Sequence, residues 1–162
     1  MRTVIALLGG AALVAGVAGC GNAGHTAQPA AAKPPAAAQG ETAQGAVRVE
    51  VAQSSLGPIL ADQNGRTLYA FTNDKGGTSS CTGQCIATWP ALVSRKPVDA
   101  GTGTDKALVA QTTRAEGTEQ ATYGDWPLYY YVGDVGPGDV DGQGVDGVWF
   151  VVGADGKLIR TP

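Results

Sequence analysis

The sequence contains few of the side chains that most often perform catalysis or bind metals. Its 162 residues include one histidine, one methionine and three cysteines. The histidine, His25, lies in a stretch rich in alanine and proline, so a folded domain further along the chain has no histidine to act as a general base. Zinc prefers four nitrogen or sulfur ligands, and the C-terminal part offers only Cys81 and Cys85. These absences argue against the common hydrolases and against a zinc site.

Charge is also scarce. Charged residues make up 15% of the chain, the net charge is −3, and there is no basic run. Proteins that bind nucleic acids neutralise phosphates with clustered lysines and arginines. We therefore expect no nucleic-acid partner.

The apolar run from Val4 to Val17 is too short to span a membrane. It follows Arg2 and ends in small residues, which predicts a signal peptide over residues 1–19. The sequence VAGC, ending at Cys20, resembles the bacterial lipobox, whose cysteine becomes the lipidated first residue. This predicts membrane lipid as a partner through Cys20 and a lipid-anchored place on the extracytoplasmic face of the bacterial cell membrane. An ordinary secretory signal that ends near Cys20 is the alternative.

The next segment, residues 20–46, is rich in alanine and proline and has no aromatic or large aliphatic residue. Such a segment cannot bury enough apolar surface to offset its ordering entropy, so we predict a disordered tether. Every Trp, Tyr and Phe lies after it. One folded domain is therefore predicted over residues 47–162.

This domain has the pattern of short β-strands. VRVEVAQ, which begins at Val47, alternates apolar and polar residues, and Asn64-Gly65 between two apolar runs is a hairpin signal. A second hairpin is predicted around the ADG sequence that ends at Gly156. The one helical candidate is a single turn near QCIATW, stopped by Pro90. The predicted fold class is all-β, mainly antiparallel, with at most that helical turn.

The chain repeats itself at an offset of 60 residues. LYAFTNDKGG aligns with LYYYVGDVGP without a gap. The identical positions are Leu68, Tyr69, Asp74, Gly76 and Trp89 in the first copy and Leu128, Tyr129, Asp134, Gly136 and Trp149 in the second. Because Tyr and Trp are uncommon, we interpret the domain as two β repeats, at about residues 56–93 and 116–156.

These residues resemble a known family, the secreted tandem-repeat lipoproteins of unknown function, whose repeat carries a Tyr, four residues and an Asp. That motif is Tyr69 to Asp74 and Tyr129 to Asp134 here. The sequences LGPIL, GRTLY, CTGQC, PLYYYVGD and GQGVDGVWFVV extend the resemblance from Leu56 to Gly156. It implies bacterial export, a lipid anchor and tandem repeats, and no established activity.

The tyrosine and aspartate of each motif are five positions apart, which puts them on opposite faces of a regular strand. Each aspartate is therefore expected in a loop, accepting hydrogen bonds from backbone N–H groups. A second interpretation is that Asp74 and Asp134 face one another across a shared groove.

Cys81 and Cys85 are expected to form a disulfide, because neighbouring thiols oxidise outside the cytoplasm. Since residues i and i+4 of a helix hold their β-carbons too far apart, we expect the CTGQC segment to be non-helical, with Gly83 in the turn. The alternatives are a redox couple and capture of a soft metal by the thiolates.

The acidic loop after Asp134 begins like a calcium-binding EF-hand loop, with Asp139, Asp141 and Asp146 as possible weak Ca²⁺ ligands. The imitation fails at its last position, which is Phe150 instead of a glutamate. No other cofactor is predicted.

Together these patterns predict a non-enzymatic binding or envelope-interaction module with an unknown envelope or small-molecule partner. An extracytoplasmic redox or metal-handling protein that uses Cys81 and Cys85 is the alternative. Hydrolysis by the repeat aspartates is a third class.

Overall fold

The structure, a computed structural model, describes residues 46–160. Cys20, the predicted signal peptide and almost all of the predicted tether lie outside the described residues. The described residues form eight strands, one α-helix and two 3-10 helices. The strands and the α-helix are β1 (Arg48–Ser54), β2 (Gly57–Asp62), β3 (Tyr69–Phe71), α1 (Gln84–Thr88), β4 (Asp99–Ala100), β5 (Val109–Thr113), β6 (Glu119–Tyr123), β7 (Trp126–Pro127) and β8 (Trp149–Val151), and the 3-10 helices are Lys106–Leu108 and Val145–Gly147. The all-β fold class is confirmed. Within residues 46–160, no helix is long and apolar enough to cross a membrane.

Three small sheets have the strand orders β2-β1-β4, β3-β8 and β5-β6-β7. All strand pairs are antiparallel except β1 with β4. The Asn64-Gly65 turn forms as predicted: the Asp62 carboxylate accepts hydrogen bonds from Asn64 N at 2.8 Å and Arg66 N at 3.0 Å, and Gly65 takes a φ of 79°. Positive φ is the conformation for which glycine is suited.

The two repeats exchange strands. β3, from the first repeat, pairs with β8 of the second through Tyr69 opposite Val151. In the same way, Tyr129 of the second repeat lies opposite Ala91 of the first. The backbones of Tyr69 and Tyr129 also form two hydrogen bonds with each other, with N-to-O distances of 2.8 and 2.9 Å. A local two-fold relation between the repeats therefore passes between these two tyrosines.

Other backbone hydrogen bonds follow the same two-fold relation. The bond from Thr72 N to Val148 O matches that from Val132 N to Thr88 O. The bond from Leu92 N to Leu128 O matches that from Val152 N to Leu68 O. The bond from Leu60 N to Val152 O matches that from Ala121 N to Leu92 O. Each residue of one bond lies 60 or 61 positions along the chain from the matching residue of the other bond. The offset found in the sequence is therefore a symmetry of the fold.

Successive residues of the shared strands point into two different cores, as the period-two geometry of a strand requires. The first core contains Val49, Leu60, Leu68, Ala70, Leu92, Ala121, Tyr123, Leu128 and Val152. The second contains Ile59, Tyr69, Cys81, Trp89, Tyr129, Trp149 and Val151. Both cores draw on both repeats, so each repeat buries its apolar face against the other.

α1 is the single helical turn expected before Pro90. The disulfide between Cys81 and Cys85 is confirmed, with a Cα–Cα distance of 5.3 Å. The expectation that the whole CTGQC segment is non-helical is wrong in its second half, because α1 begins at Gln84 and includes Cys85. Gly83, at a φ of 57°, turns the chain just before the helix. Cys81 therefore lies outside the helix, and helical i to i+4 geometry does not apply to the pair.

Candidate functional site

The repeat motif forms two reciprocal tyrosine–aspartate pairs. The Tyr69 hydroxyl donates to Asp134 Oδ2 at 2.9 Å, and the Tyr129 hydroxyl donates to Asp74 Oδ2 at 2.6 Å. The tyrosine of each repeat is thus bound by the aspartate of the other. Sequence reasoning placed these four residues in one motif but did not predict this crossed pairing.

Both aspartates lie in loops, as expected, and accept backbone hydrogen bonds there. Asp74 Oδ1 accepts from Ser80 N at 2.7 Å and from Ser80 Oγ at 2.6 Å. Asp134 Oδ1 accepts from Asp141 N at 3.0 Å. Each carboxylate therefore faces a phenol and a loop backbone. In the second interpretation, Asp74 and Asp134 would instead have faced each other.

Burial sets the protonation of the two phenols. It raises the pKa of Tyr69 well above its ordinary value, and the Asp134 carboxylate raises it further. Burial likewise raises the pKa of Tyr129, helped by its hydrogen bond to Asp74. Burial also raises the pKa of Asp134, although the hydrogen bond from Tyr69 opposes this. Both tyrosines are therefore neutral hydrogen-bond donors, and neither can serve as a general base at neutral pH.

The two pairs differ in their outer contacts. The Ser79 hydroxyl lies 2.7 Å from the Tyr129 hydroxyl and accepts from Arg114 Nη1 at 2.6 Å. Arg114 is 6% exposed and also donates to Gln120 Oε1 at 2.7 Å and to the Cys81 carbonyl at 2.8 Å. On the other side, the Tyr69 hydroxyl accepts from a backbone N–H, that of Gly142, at 3.3 Å.

The roles of Ser79, Arg114 and Gln120 were not predicted. Arg114 looks in sequence like an ordinary turn residue before AEG, and no pattern links it to a loop more than 30 positions earlier.

Aromatic rings stack across the two-fold relation. Trp89 and Trp149, which are equivalent in the two repeats, stack at 3.9 Å with an interplanar angle of 4°. Tyr131 extends the stack on Trp89 at 4.4 Å, and Phe71 extends it on Trp149 at 4.3 Å. Tyr69 meets Trp89 edge-on at 5.4 Å, matched by Tyr129 on Trp149 at 5.2 Å. The rings fill the interface between the repeats, which is the ordinary core role of strand aromatics.

The acidic loop does not gather its carboxylates around one point. Asp139 Oδ2 accepts from Val135 N at 3.0 Å and from Gly136 N at 2.7 Å, as a loop-closing residue does. Asp141 and Asp146 are exposed. Among residues 46–160, no three side chains of His, Cys, Asp or Glu are grouped so that they could hold a metal ion. The weak calcium site therefore has no geometric support.

A family described as a secreted repeat of unknown function matches this chain twice, at residues 50–93 and 110–153. The chain belongs to this family. The two matches contain the two Tyr–Asp motifs at equivalent positions, and in the fold the two family repeats exchange strands with each other. No curated protein and no solved structure gives a significant match. The resemblance seen in the sequence is therefore confirmed, and membership of a secreted family fits an extracytoplasmic module.

Proposed function

We propose that this protein is a lipid-anchored module on the extracytoplasmic face of the bacterial cell membrane, and that it binds a partner without transforming it. The observation that carries this proposal is the closure of the Tyr–Asp centre. Tyr69, Tyr129 and Asp74 are each 3% exposed or less, Asp134 is half-buried, and each of the four is engaged by another side chain. In residues 46–160, no buried side-chain nitrogen or oxygen lacks a hydrogen-bond partner.

A catalytic acid or base has to come within hydrogen-bond reach of a substrate proton. The phenols and carboxylates of the Tyr–Asp centre instead bind each other and hold the two repeats together. This leaves the outer surface of the domain for function, which supports recognition of a partner over turnover of a substrate.

The anchor is tested by cell fractionation of the full chain in a bacterial host. We expect the unmodified sequence to remain with membranes and to carry a mass increase that matches a lipid, because two acyl chains bind stably. Cys20→Ala should abolish both properties, while Gly24→Ala, a neighbouring change that keeps the cysteine, should preserve them. Membrane retention of Cys20→Ala would contradict the anchor.

Redox chemistry at Cys81 and Cys85 is the second candidate function, favoured by the disulfide itself. Against it, Cys81 is 1% exposed and its carbonyl is held by Arg114. We expect the reduction potential of this disulfide to lie below about −300 mV, as in structural disulfides. A potential between about −120 and −200 mV would instead favour the redox function.

A binding module differs from a hydrolase in that it releases no product from its ligand. Binding should raise the melting temperature of the full chain without release of a product. Hydrolysis of an envelope component that is lost in both Asp74→Asn and Asp134→Asn would overturn the non-enzymatic proposal.

A further inference from the structure

The first strands of the two repeats differ in what covers their outer edge. β1 and β5 occupy equivalent positions, and each pairs with the strand that follows it. The segment between the repeats covers β1: Gly101 N donates to Val49 O at 2.7 Å, and Val51 N donates to Thr102 O at 2.8 Å. β4, in this segment, runs parallel to β1. The edge of β1 is therefore closed by the protein's own chain.

β5 directs alternate residues toward β6. Leu108 O accepts from Gly124 N at 2.7 Å and Arg114 N donates to Thr118 O at 2.9 Å, so the even-numbered residues face β6. The backbone N–H and C=O groups of the odd-numbered residues point away from the sheet. These residues are Val109, Gln111 and Thr113. Within residues 46–160, the Val109 N–H donates to the Lys106 carbonyl, and none of the other outward groups makes a backbone hydrogen bond. We call these three residues the β5 edge.

Sheet edges are usually protected by a charged side chain, a proline or a bulge, because an open edge accepts another strand. β5 reads VAQTT and contains neither charge nor proline. Its five residues pair with β6 in unbroken register, with no bulge. The β5 edge is therefore an unprotected template for strand addition.

The charges beside β5 select the added strand and its direction. Lys106 precedes the strand and Glu116 follows it; both are exposed, and Glu116 also accepts a hydrogen bond from Arg114 Nε. If β5 of a second copy pairs antiparallel, Lys106 of each copy lies at the end that carries Glu116 of the other. Parallel pairing would instead bring like charges together, which is unfavourable.

One antiparallel register pairs the outward groups of both copies. When Gln111 lies opposite Gln111, Val109 lies opposite Thr113 on both sides of the axis. All three outward residues then fall in hydrogen-bonded pairs, to which Val109 contributes its carbonyl, because its N–H already donates to Lys106. Such a contact is isologous and closes after two copies.

We propose that the β5 edge is a dimerisation surface, on which two copies of this protein pair antiparallel with Gln111 opposite Gln111. This goes beyond the proposed binding function, because it names a second copy of the chain as a partner.

Cysteine cross-linking of the full chain in bacterial membranes tests the register. Hydrogen-bonded antiparallel pairs place their Cα atoms about 5.5 Å apart, within disulfide range. Gln111→Cys should therefore give a disulfide-linked dimer on mild oxidation. Thr113→Cys is the matched control, since it lies on the same edge but faces Val109 of the partner. We expect at least a tenfold lower yield of dimer from Thr113→Cys, and equal yields would overturn the register.

Charge reversal tests the direction without touching the strand. Lys106→Glu places carboxylates at both ends of the contact and should raise the dimer dissociation constant of the detergent-solubilised chain about tenfold. Adding Glu116→Lys should restore most of the affinity, while Glu116→Lys alone should weaken it. A chain that sediments as a monomer, or a Gln111→Cys variant that cross-links only to a different protein, overturns the proposal.

Discussion

At the scale of single residues, each central phenol depends on a carboxylate supplied by the other repeat. Tyr69 and Tyr129 are fully buried and donate to Asp134 and Asp74. A hydrogen bond to a charged acceptor contributes about 1.5–3 kcal/mol to stability. Removal of either aspartate would leave a buried tyrosine hydroxyl without its charged acceptor. The main role of the motif is therefore to hold the two repeats together.

Alkaline pH should expose this dependence. Burial raises the pKa of Tyr69, Tyr129 and Tyr130 far above the value near 10 of an unfolded tyrosine. The folded state therefore keeps these protons when the unfolded chain loses them. Their contribution to stability is complete below about pH 10 and is lost as the pH rises above it.

We therefore predict that phenolate absorbance of these three tyrosines appears together with loss of far-ultraviolet circular dichroism. Tyr69→Phe should remove one phenolate from that joint transition. Gradual ionisation of all the tyrosines near pH 10 in a chain that stays folded would contradict the prediction.

At this scale the sequence indicates which residues form the motif, but it does not indicate which of them contact each other. The Tyr-x4-Asp spacing predicts that the aspartates lie in loops, which is where they are found. It could not show the crossed pairs, because the partners are 65 and 55 positions apart and only the exchanged strands bring them together. Arg114 pairs locally with Glu116, but no local pattern signals its bonds to Ser79 and to the Cys81 carbonyl, because these are set by the packing of a hairpin on a distant loop.

At the scale of elements, the loop after Asp134 is packed against β3 and the end of α1 at one glycine. Gly142 is buried, and a Cβ placed on it would lie 2.8 Å from the ring of Trp89 and 2.9 Å from that of Tyr69. Real Cβ contacts are longer than this, so only glycine lets the loop approach the rings.

Gly142→Ala is therefore predicted to lower the free energy of unfolding by about 1–3 kcal/mol, the usual cost of overpacking. Gly136→Ala is the matched control in the same loop, since its Cβ would meet only Asp139 Oδ2, at 3.7 Å. Urea unfolding should separate the two variants by their midpoints. Equal midpoints would show that the loop can move away without loss of packing.

The elements themselves were largely predictable. Alternation in VRVEVAQ and the Asn64-Gly65 turn are local signals, and β1, β2 and the turn follow from them. Which strands share a sheet is not local. β3 pairs with β8 because doing so buries Tyr69 and Val151 in a core that both repeats complete. The helical turn at QCIATW was also predictable, but its overlap with the CTGQC segment was not, because Gly83 lets the chain turn directly into the helix before Cys85.

At the scale of the whole domain, neither repeat has a core of its own. Both buried clusters contain residues from each repeat, and the central tryptophan stack has one ring from each. A repeat that opened would therefore expose the apolar face of the other. The domain shares this dependence with the units of repeat arrays, which cannot bury their apolar faces alone.

We predict that the domain unfolds in a single two-state transition. In a Trp126→Phe background, the fluorescence of Trp89 and Trp149 reports the interface, and it should change at the same urea concentration as the circular dichroism of the strands. An intermediate that keeps about half of the strand signal after the tryptophan signal has changed would contradict the shared core.

The exchange of strands has a consequence for the amount of protein a cell needs. If the two repeats were separate chains, their joining would be bimolecular and would fail at low copy number. Here residues 94–109 connect them, and a short connection holds its two ends at an effective concentration on the order of millimolar. The fraction of chains that complete both Tyr–Asp pairs is then the same whether a cell makes ten copies or ten thousand.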